Sequence, residues 1–216
     1  MKKIKKSIIA SLFLLSITSL NAQNFNEIIK AVASDRAAMD NFGTSVSISG
    51  DYAIITAPGD SENATGNNSM TYAGSAYIFE RNSSGMWSEV QKIVTSDRAV
   101  DDQLGVSASI SGNYVVISTI FEDEDVIGAN TMNSAGSAYI FERNNLGVWN
   151  EIQKIVASDR NTDDWFGISV SISGDYIIVG ARAEDNDPTG GNTMNDAGSV
   201  YLFERNSSGV WNETQK

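Results

Sequence analysis

Most of the side chains here that could do acid–base or metal chemistry are carboxylates. The chain has no histidine and no cysteine, which removes the Ser-His-Asp triad, the cysteine nucleophile, His- or Cys-ligated zinc and every disulfide. Acid pairs remain at Asp101-Asp102 and Asp163-Asp164, with Asp40 in the same setting, and two acids flanking a sugar bond are what glycoside hydrolysis needs. More acids crowd three polar stretches, Asp60-Ser61-Glu62-Asn63, Glu122-Asp123-Glu124-Asp125 and Glu184-Asp185-Asn186-Asp187. Each is followed by a glycine and then by Asn68, Asn130 or Asn192. Carboxylates and amide carbonyls on a flexible loop suit a hard cation, so Asp123, Asp125, Asp185 and Asp187 are candidate calcium ligands. The same composition also describes a solvated acidic loop that uses Asn and Asp for its turns.

Spacing bears on each of these readings. Ser-Asp-Arg begins at Ser34, Ser96 and Ser158, Ala-Gly-Ser is centred on Gly74, Gly136 and Gly198, and tryptophan stands at Trp87, Trp149 and Trp211, always 62 residues apart. A catalytic pair is needed once, whereas these acids return in register before each Phe-Gly or Leu-Gly, as a duplicated turn would. The Ser-Asp-Arg arginine could clamp a carboxylate, or Asp and Arg could tie down the connection between units at about 0–1 kcal/mol per exposed pair. The repeated tryptophans could stack on sugars or pack between units, and packing is the expectation. Asn63, Asn67, Asn82, Asn206 and Asn212 begin Asn-x-Ser/Thr triplets, relevant only in a host that glycosylates them.

The elements that position these groups are strands. Val46 and Ile48 alternate with serines, Gly50-Asp51 makes a two-residue turn of type II′, and Tyr52 to Ala57 runs back. Ser75 to Glu80 and Met86 to Val94 form a second hairpin around Asn82-Ser83-Ser84-Gly85. No window shows a convincing helical period. Four short strands in 62 residues make a unit the size of a propeller blade, so the fold expected is all-β: a partial β-propeller of three four-stranded antiparallel blades. The units are 34–95, 96–157 and 158–216, the last truncated. Residues 23–33 form an orphan outer strand, since Phe25-Asn26-Glu27-Ile28 aligns with Trp87-Ser88-Glu89-Val90. Lys216 stands in register with Lys30, Lys92 and Lys154, which predicts a fragment of a longer propeller. Three blades are too few to close a ring, so open blade edges and self-association through them are expected.

With these residues in view the unit resembles the FG-GAP repeat, the blade of the integrin α-subunit propeller and of many bacterial surface proteins. The likeness rests on Phe42-Gly43-Thr44-Ser45-Val46, Ile48-Ser49-Gly50-Asp51-Tyr52-Ala53-Ile54-Ile55, Ala57-Pro58 and Ala73-Gly74-Ser75-Ala76-Tyr77-Ile78-Phe79. The third copy keeps Phe166-Gly167; the second departs with Leu104-Gly105 and Ser118-Thr119-Ile120. The resemblance implies a blade whose first strand lines a central channel, and a role in binding or adhesion without chemistry. Calcium-binding members carry an Asp-x-Asp-x-Asp-Gly type loop between the first two strands, and here that place holds the tight turn Ser49-Gly50-Asp51-Tyr52 instead.

Lys2, Lys3, Lys5 and Lys6, the apolar run Ile8 to Leu20 and Asn21-Ala22 read as a signal peptide, residues 1–22, cleaved near Ala22. Without those four lysines the 15 basic side chains fall to 11 against 27 acidic ones, a formal charge of −16. Such a surface repels nucleic acid and anionic lipid, and no later segment is apolar enough to span a membrane. The expectation is a secreted, periplasmic or outer-surface module that binds a protein or glycan ligand through loops 59–72, 121–134 and 183–196. A structural envelope or matrix component assembling through blade edges is the alternative, and a polysaccharide-acting enzyme a third reading.

Overall fold

The computed structural model describes residues 29–67, 69–187, 189–190 and 193–216. The signal segment 1–22, residues 23–28 of the orphan strand, and Asn68 and Asn192 of the acidic loops lie outside them. Ala31 to Lys216 form one compact unit.

Its twelve strands fall into three antiparallel sheets, and each sheet is drawn from a single repeat. Blade 1 comprises β1 (Val46–Ser49), β2 (Tyr52–Ala57), β3 (Ser75–Arg81) and β4 (Trp87–Ile93). Blade 2 comprises β5 (Ser107–Ser111), β6 (Tyr114–Thr119), β7 (Ser137–Arg143) and β8 (Trp149–Ile155), and blade 3 β9 (Phe166–Ser173), β10 (Tyr176–Ala181), β11 (Ser199–Arg205) and β12 (Trp211–Gln215). Strands pair in chain order, as a meander of short connections must. No helix occurs among the described residues.

The turn chemistry follows from residue type. Ser49 pairs with Tyr52 across Gly50-Asp51. Gly50, Gly112 and Gly174 have φ of 60°, 57° and 58°, and the residue after each stays out of the left-handed region, the pattern of a II′ turn. In the second hairpin the Asn82 side-chain oxygen accepts the N–H groups of Ser84 and Met86, both at 3.0 Å, and Asn144 and Asn206 repeat the arrangement.

The core lies between blades. One apolar cluster joins Ile54, Ala76, Ile78 and Ile93 of blade 1 to blade 2 residues that include Ala108, Ile110, Phe141 and Trp149. A second joins Val116, Ala138, Ile140 and Ile155 of blade 2 to Phe166, Val170, Ile172, Phe203 and Trp211 of blade 3, among others. Ala31 and Ala33, in the described remainder of the orphan segment, pack on blade 1.

Polar contacts stitch the same junctions. Hydroxyls of Ser45, Ser47 and Ser49 accept the N–H groups of Ala108, Ile110 and Gly112 at 3.0–3.2 Å, and Ser107, Ser109 and Ser111 do the same for Val170, Ile172 and Gly174. Further out, the Gln91 amide donates to Trp149 O at 2.7 Å and accepts from Trp149 N at 2.9 Å, and Gln153 clasps Trp211 identically. Trp149 and Trp211 are 2% exposed and meet Tyr52 and Tyr114 edge-on at 5.9 Å. Trp149 and Trp211 therefore pack between blades and are not open sugar platforms, because the preceding blade covers the ring, while Trp87 of blade 1 is half-buried.

The Ala-Gly-Ser glycine is where one blade's loop crosses the next blade's entry. A Cβ on Gly136 would lie 2.0 Å from Phe166 O, whereas on Gly198 its nearest neighbour is Arg182 O at 3.0 Å. Both have positive φ. Gly136→Ala is therefore expected to cost about 3 kcal/mol or more and Gly198→Ala about 1 kcal/mol, compared by urea denaturation.

Candidate functional site

Each β2–β3 loop is anchored by its first acid. Lys92, on β4, extends its ammonium 2.7 Å from Asp35 Oδ2 and 2.6 Å from Asp60 Oδ2. The Tyr77 hydroxyl lies 2.8 Å from both acids, and Ser75 Oγ donates to Asp60 at 2.5 Å. Lys154 with Asp97, Glu122 and Tyr139, and Lys216 with Asp159, Glu184 and Tyr201, rebuild this hub one and two periods later. Burial pushes the Asp60 carboxyl up, but bonds from Lys92, Ser75, the Glu62 N–H and Tyr77 outweigh it and hold it below the usual range. Glu184 is likewise lowered against its burial, by Ser199, Lys216 and the Asn186 N–H.

The Ser-Asp-Arg motif proves to be the staple between units. Its serine donates N–H and Oγ to a glutamate on the outer strand of the blade being entered, Ser96 to Glu151 at 2.9 and 2.8 Å. Its aspartate joins the lysine hub. Its arginine reaches back to the preceding blade: Arg98 donates to Ser61 O, and Arg160 to Asp123 O and Asn130 O. The Asp is thus paired with a buried lysine and not with a surface partner.

The acid pairs split. Asp102 Oδ2 accepts the Ala99 N–H at 2.5 Å and Asp164 Oδ2 the Asn161 N–H at 2.6 Å, and Asp40 makes the same three-residue clamp on Ala37, the turn role expected. Burial, reinforced by Glu122 and Asp97 against the Ala99 N–H, pushes the Asp102 carboxyl up to about 7; burial likewise raises Asp164 to about 6. Their neighbours Asp101 and Asp163 line a cleft, which Asp102 shares in blade 2.

That cleft recurs between each crossover and the β2–β3 loop of the same blade, with volumes of about 250, 430 and 510 Å³ in blades 1, 2 and 3. Three non-glycine positions at its rim hold left-handed backbone in every blade: Met39, Asn41 and Tyr72; Asp101, Gln103 and Ser134; Asp163, Trp165 and Asp196. In blade 2 Asp101 N and Gln103 N donate to Thr71 O and Tyr72 O at 2.9 Å, while Tyr72, Ser134 and Asp196 donate their N–H groups to the Ser61, Asp123 and Asp185 side chains. The second cleft is acidic, with Asp97, Asp101, Asp102, Glu122, Asp123 and Glu124 along it. In the third, the exposed Arg182 guanidinium lies 4.5 Å from the centroid of the half-buried Trp165 ring. Reading the sequence for repeats passed over these two residues; the signal was that Asn41, Gln103 and Trp165 break an otherwise kept register.

The four candidate calcium ligands are committed to their own loops. Asp123 Oδ1 accepts Ser134 N, Asp185 Oδ1 accepts Asp196 N, and Asp187 Oδ1 accepts Thr189 N and Oγ1. Asp125 accepts Ile127 N, Ala129 N and the Asn130 amide, and Asn130 and these N–H groups hold its carboxyl below the usual range. Among the described residues no group of three or more acids is placed to hold an ion.

Two outcomes follow. The lowered Asp60 and Glu184 contribute stability above the unfolded carboxylate pKa of about 4, and it is lost as pH falls below that. The raised Asp102 and Asp164 contribute the opposite way: their stabilisation is complete below about pH 4 and lost as pH rises through about 6–7. Melting temperature is therefore expected to peak near about pH 5. Asp102→Asn should raise it by a few degrees at pH 8 and little at pH 4, read by circular dichroism. Millimolar calcium is expected to leave the melting temperature unchanged in the same assay; a rise of several degrees would mean that the loops rearrange to bind the ion.

No curated protein matches the chain. The FG-GAP repeat family model matches three times, at residues 25–79, 87–141 and 149–203. Each match starts in the register of an outer strand and ends on the Phe79, Phe141 or Phe203 of a third strand, so it spans one junction between units. Matched over well more than half its length, this chain belongs to the FG-GAP repeat family.

Proposed function

We propose that this chain is an exported, non-enzymatic binding module whose row of clefts engages a protein or glycan ligand at the cell surface. One observation carries the reading: the same cleft is built three times on a constant framework and lined differently each time. Hubs and clamps repeat position for position, while the rim changes from Met39 and Tyr72 to Asp101 and Ser134 to Trp165, Asp196 and Arg182. Backbone strain concentrated at exposed, variable positions is a mark of binding surfaces. An aromatic ring beside a guanidinium offers a sugar or peptide both a stacking face and hydrogen-bond donors. A catalytic role for Asp102 and Asp164 fits less well, since each carboxylate is already clamped to its own turn.

The test is Trp165→Ala with Arg182→Ala, probed on glycan arrays and on immobilised surface proteins. Binding by the parent chain should fall at least about tenfold, the loss expected of a hot-spot pair, with melting temperature nearly unchanged because neither side chain belongs to a junction core. Unaltered binding would remove this cleft from the site.

A further inference from the structure

Blade 3 differs from its siblings at two positions that meet in space. Trp165 stands where blades 1 and 2 have Asn41 and Gln103, and Arg182 stands where they have Pro58 and Ile120. The Arg182 guanidinium lies over the Trp165 ring, 4.5 Å from its centroid. Trp165 has φ 58° and Asn41 57°. Asparagine enters that left-handed region readily and a bulky aromatic does not. The local fold therefore gains nothing from the indole, which points to a use for the ring outside the fold.

The guanidinium is held but not engaged. Arg81, Arg143 and Arg205 each donate to a turn residue, Asp51, Asn113 or Asp175, whereas Arg182 makes no hydrogen bond or ion pair among the described residues. Stacking on an indole fixes the plane of a guanidinium and leaves its N–H donors open within that plane. Acceptors stand beside it, since Asp163 and Asp196 line the same cleft. An asparagine amide braces one oxygen of each, Asn133 on Asp163 Oδ1 at 3.3 Å and Asn195 on Asp196 Oδ2 at 3.1 Å. The second oxygen of each acid accepts no bond among the described residues.

We propose that the blade 3 cleft takes a neutral pyranose unit of a glycan chain. The inference rests on the reading of this cleft as a binding site and names the class of ligand that fits it. A sugar ring has a flat C–H face and a rim of hydroxyls, each both donor and acceptor. That matches an aromatic ring set among guanidinium donors and carboxylate acceptors. An acidic sugar would face Asp163, Asp196 and a chain of formal charge −12, and a basic peptide would set its cation against Arg182. A neutral ring meets neither repulsion.

Arrays printed with neutral glucans, mannans, xylans and galactans, with uronate- and sulfate-bearing polysaccharides, and with peptides test it on the full chain. Neutral glycans should be retained, with half-saturation moving less than about twofold between about 0.05 and 1 M NaCl, because contacts to uncharged groups are not screened. Trp165→Ala should weaken retention at least about tenfold, and Arg182→Lys should weaken it too, since the ammonium keeps the charge and loses the planar fork. Trp165→Phe, which keeps a ring in place, should recover part of the loss and so separates a lost contact from a lost fold. Retention of acidic polysaccharides or peptides alone, abolished by the same variants, would overturn the neutral-sugar class and leave the cleft as a binding site. Neutral-glycan binding that survives both Trp165→Ala and Arg182→Lys, or no retention on any array, would overturn the class and the site together.

Discussion

A blade of this protein cannot bury its own apolar surface, because its middle strands are apolar on both faces. In β3 and β7 the first five residues are all buried, including Tyr77 and Phe79 on one side and Ala76 and Ile78 on the other. A single four-stranded sheet has no interior, so each must be covered twice. Burial at about 1.5–3 kcal/mol per large side chain makes the stack the source of stability. The 62-residue period is thus a period of junctions more than of sheets.

The inner strands show what that constraint does to sequence. Ser-x-Ser-x-Ser is poor strand material by propensity. It is retained because each hydroxyl satisfies an N–H of the neighbouring inner strand, groups that two sheets meeting edge to face would otherwise leave unpaired. The lysine hub solves a similar problem at the outer end. Three elements of a blade, its entry crossover, its β2–β3 loop and β4, meet where water is largely excluded, and one ammonium between two carboxylates holds all three. A buried pair of this kind adds little net stability over an apolar substitute, yet removing one member strands the others, so its main effect is on which arrangement forms.

The sequence was most legible where chemistry repeats. Strand positions, the II′ turn at Gly50 and the turn role of Asp102 and Asp164 follow from residue type at fixed spacing. Partners contributed by another repeat were not legible, since spacing says that Gln91 recurs but not that it grips Trp149. The acidic loops hold two kinds of acid that composition does not separate: Asp60, Glu122 and Glu184 each hold a lysine ammonium some 30 residues on, whereas the candidate ligands Asp123, Asp125, Asp185 and Asp187 accept bonds within their own loops. Trp165 was hidden by the repeat itself, because alignment rewards what is kept.

That asymmetry bears on how the clefts can change. Rim residues sit in left-handed backbone, which ordinarily selects glycine or asparagine. In blades 2 and 3 main-chain bonds from the crossover to the loop of the preceding blade accompany it, Asp163 N to Asn133 O and Trp165 N to Ser134 O among them, and in blade 1 Met39 and Asn41 adopt it without such bonds among the described residues. Met39, Asp101 and Asp163 all occupy one site, and Asn41, Gln103 and Trp165 another, in the same backbone conformation. Side chains there contribute little to the junctions, so they vary without loosening the stack. A repeated backbone frame around a freely substituted rim is the arrangement by which one duplicated sheet can present three different surfaces.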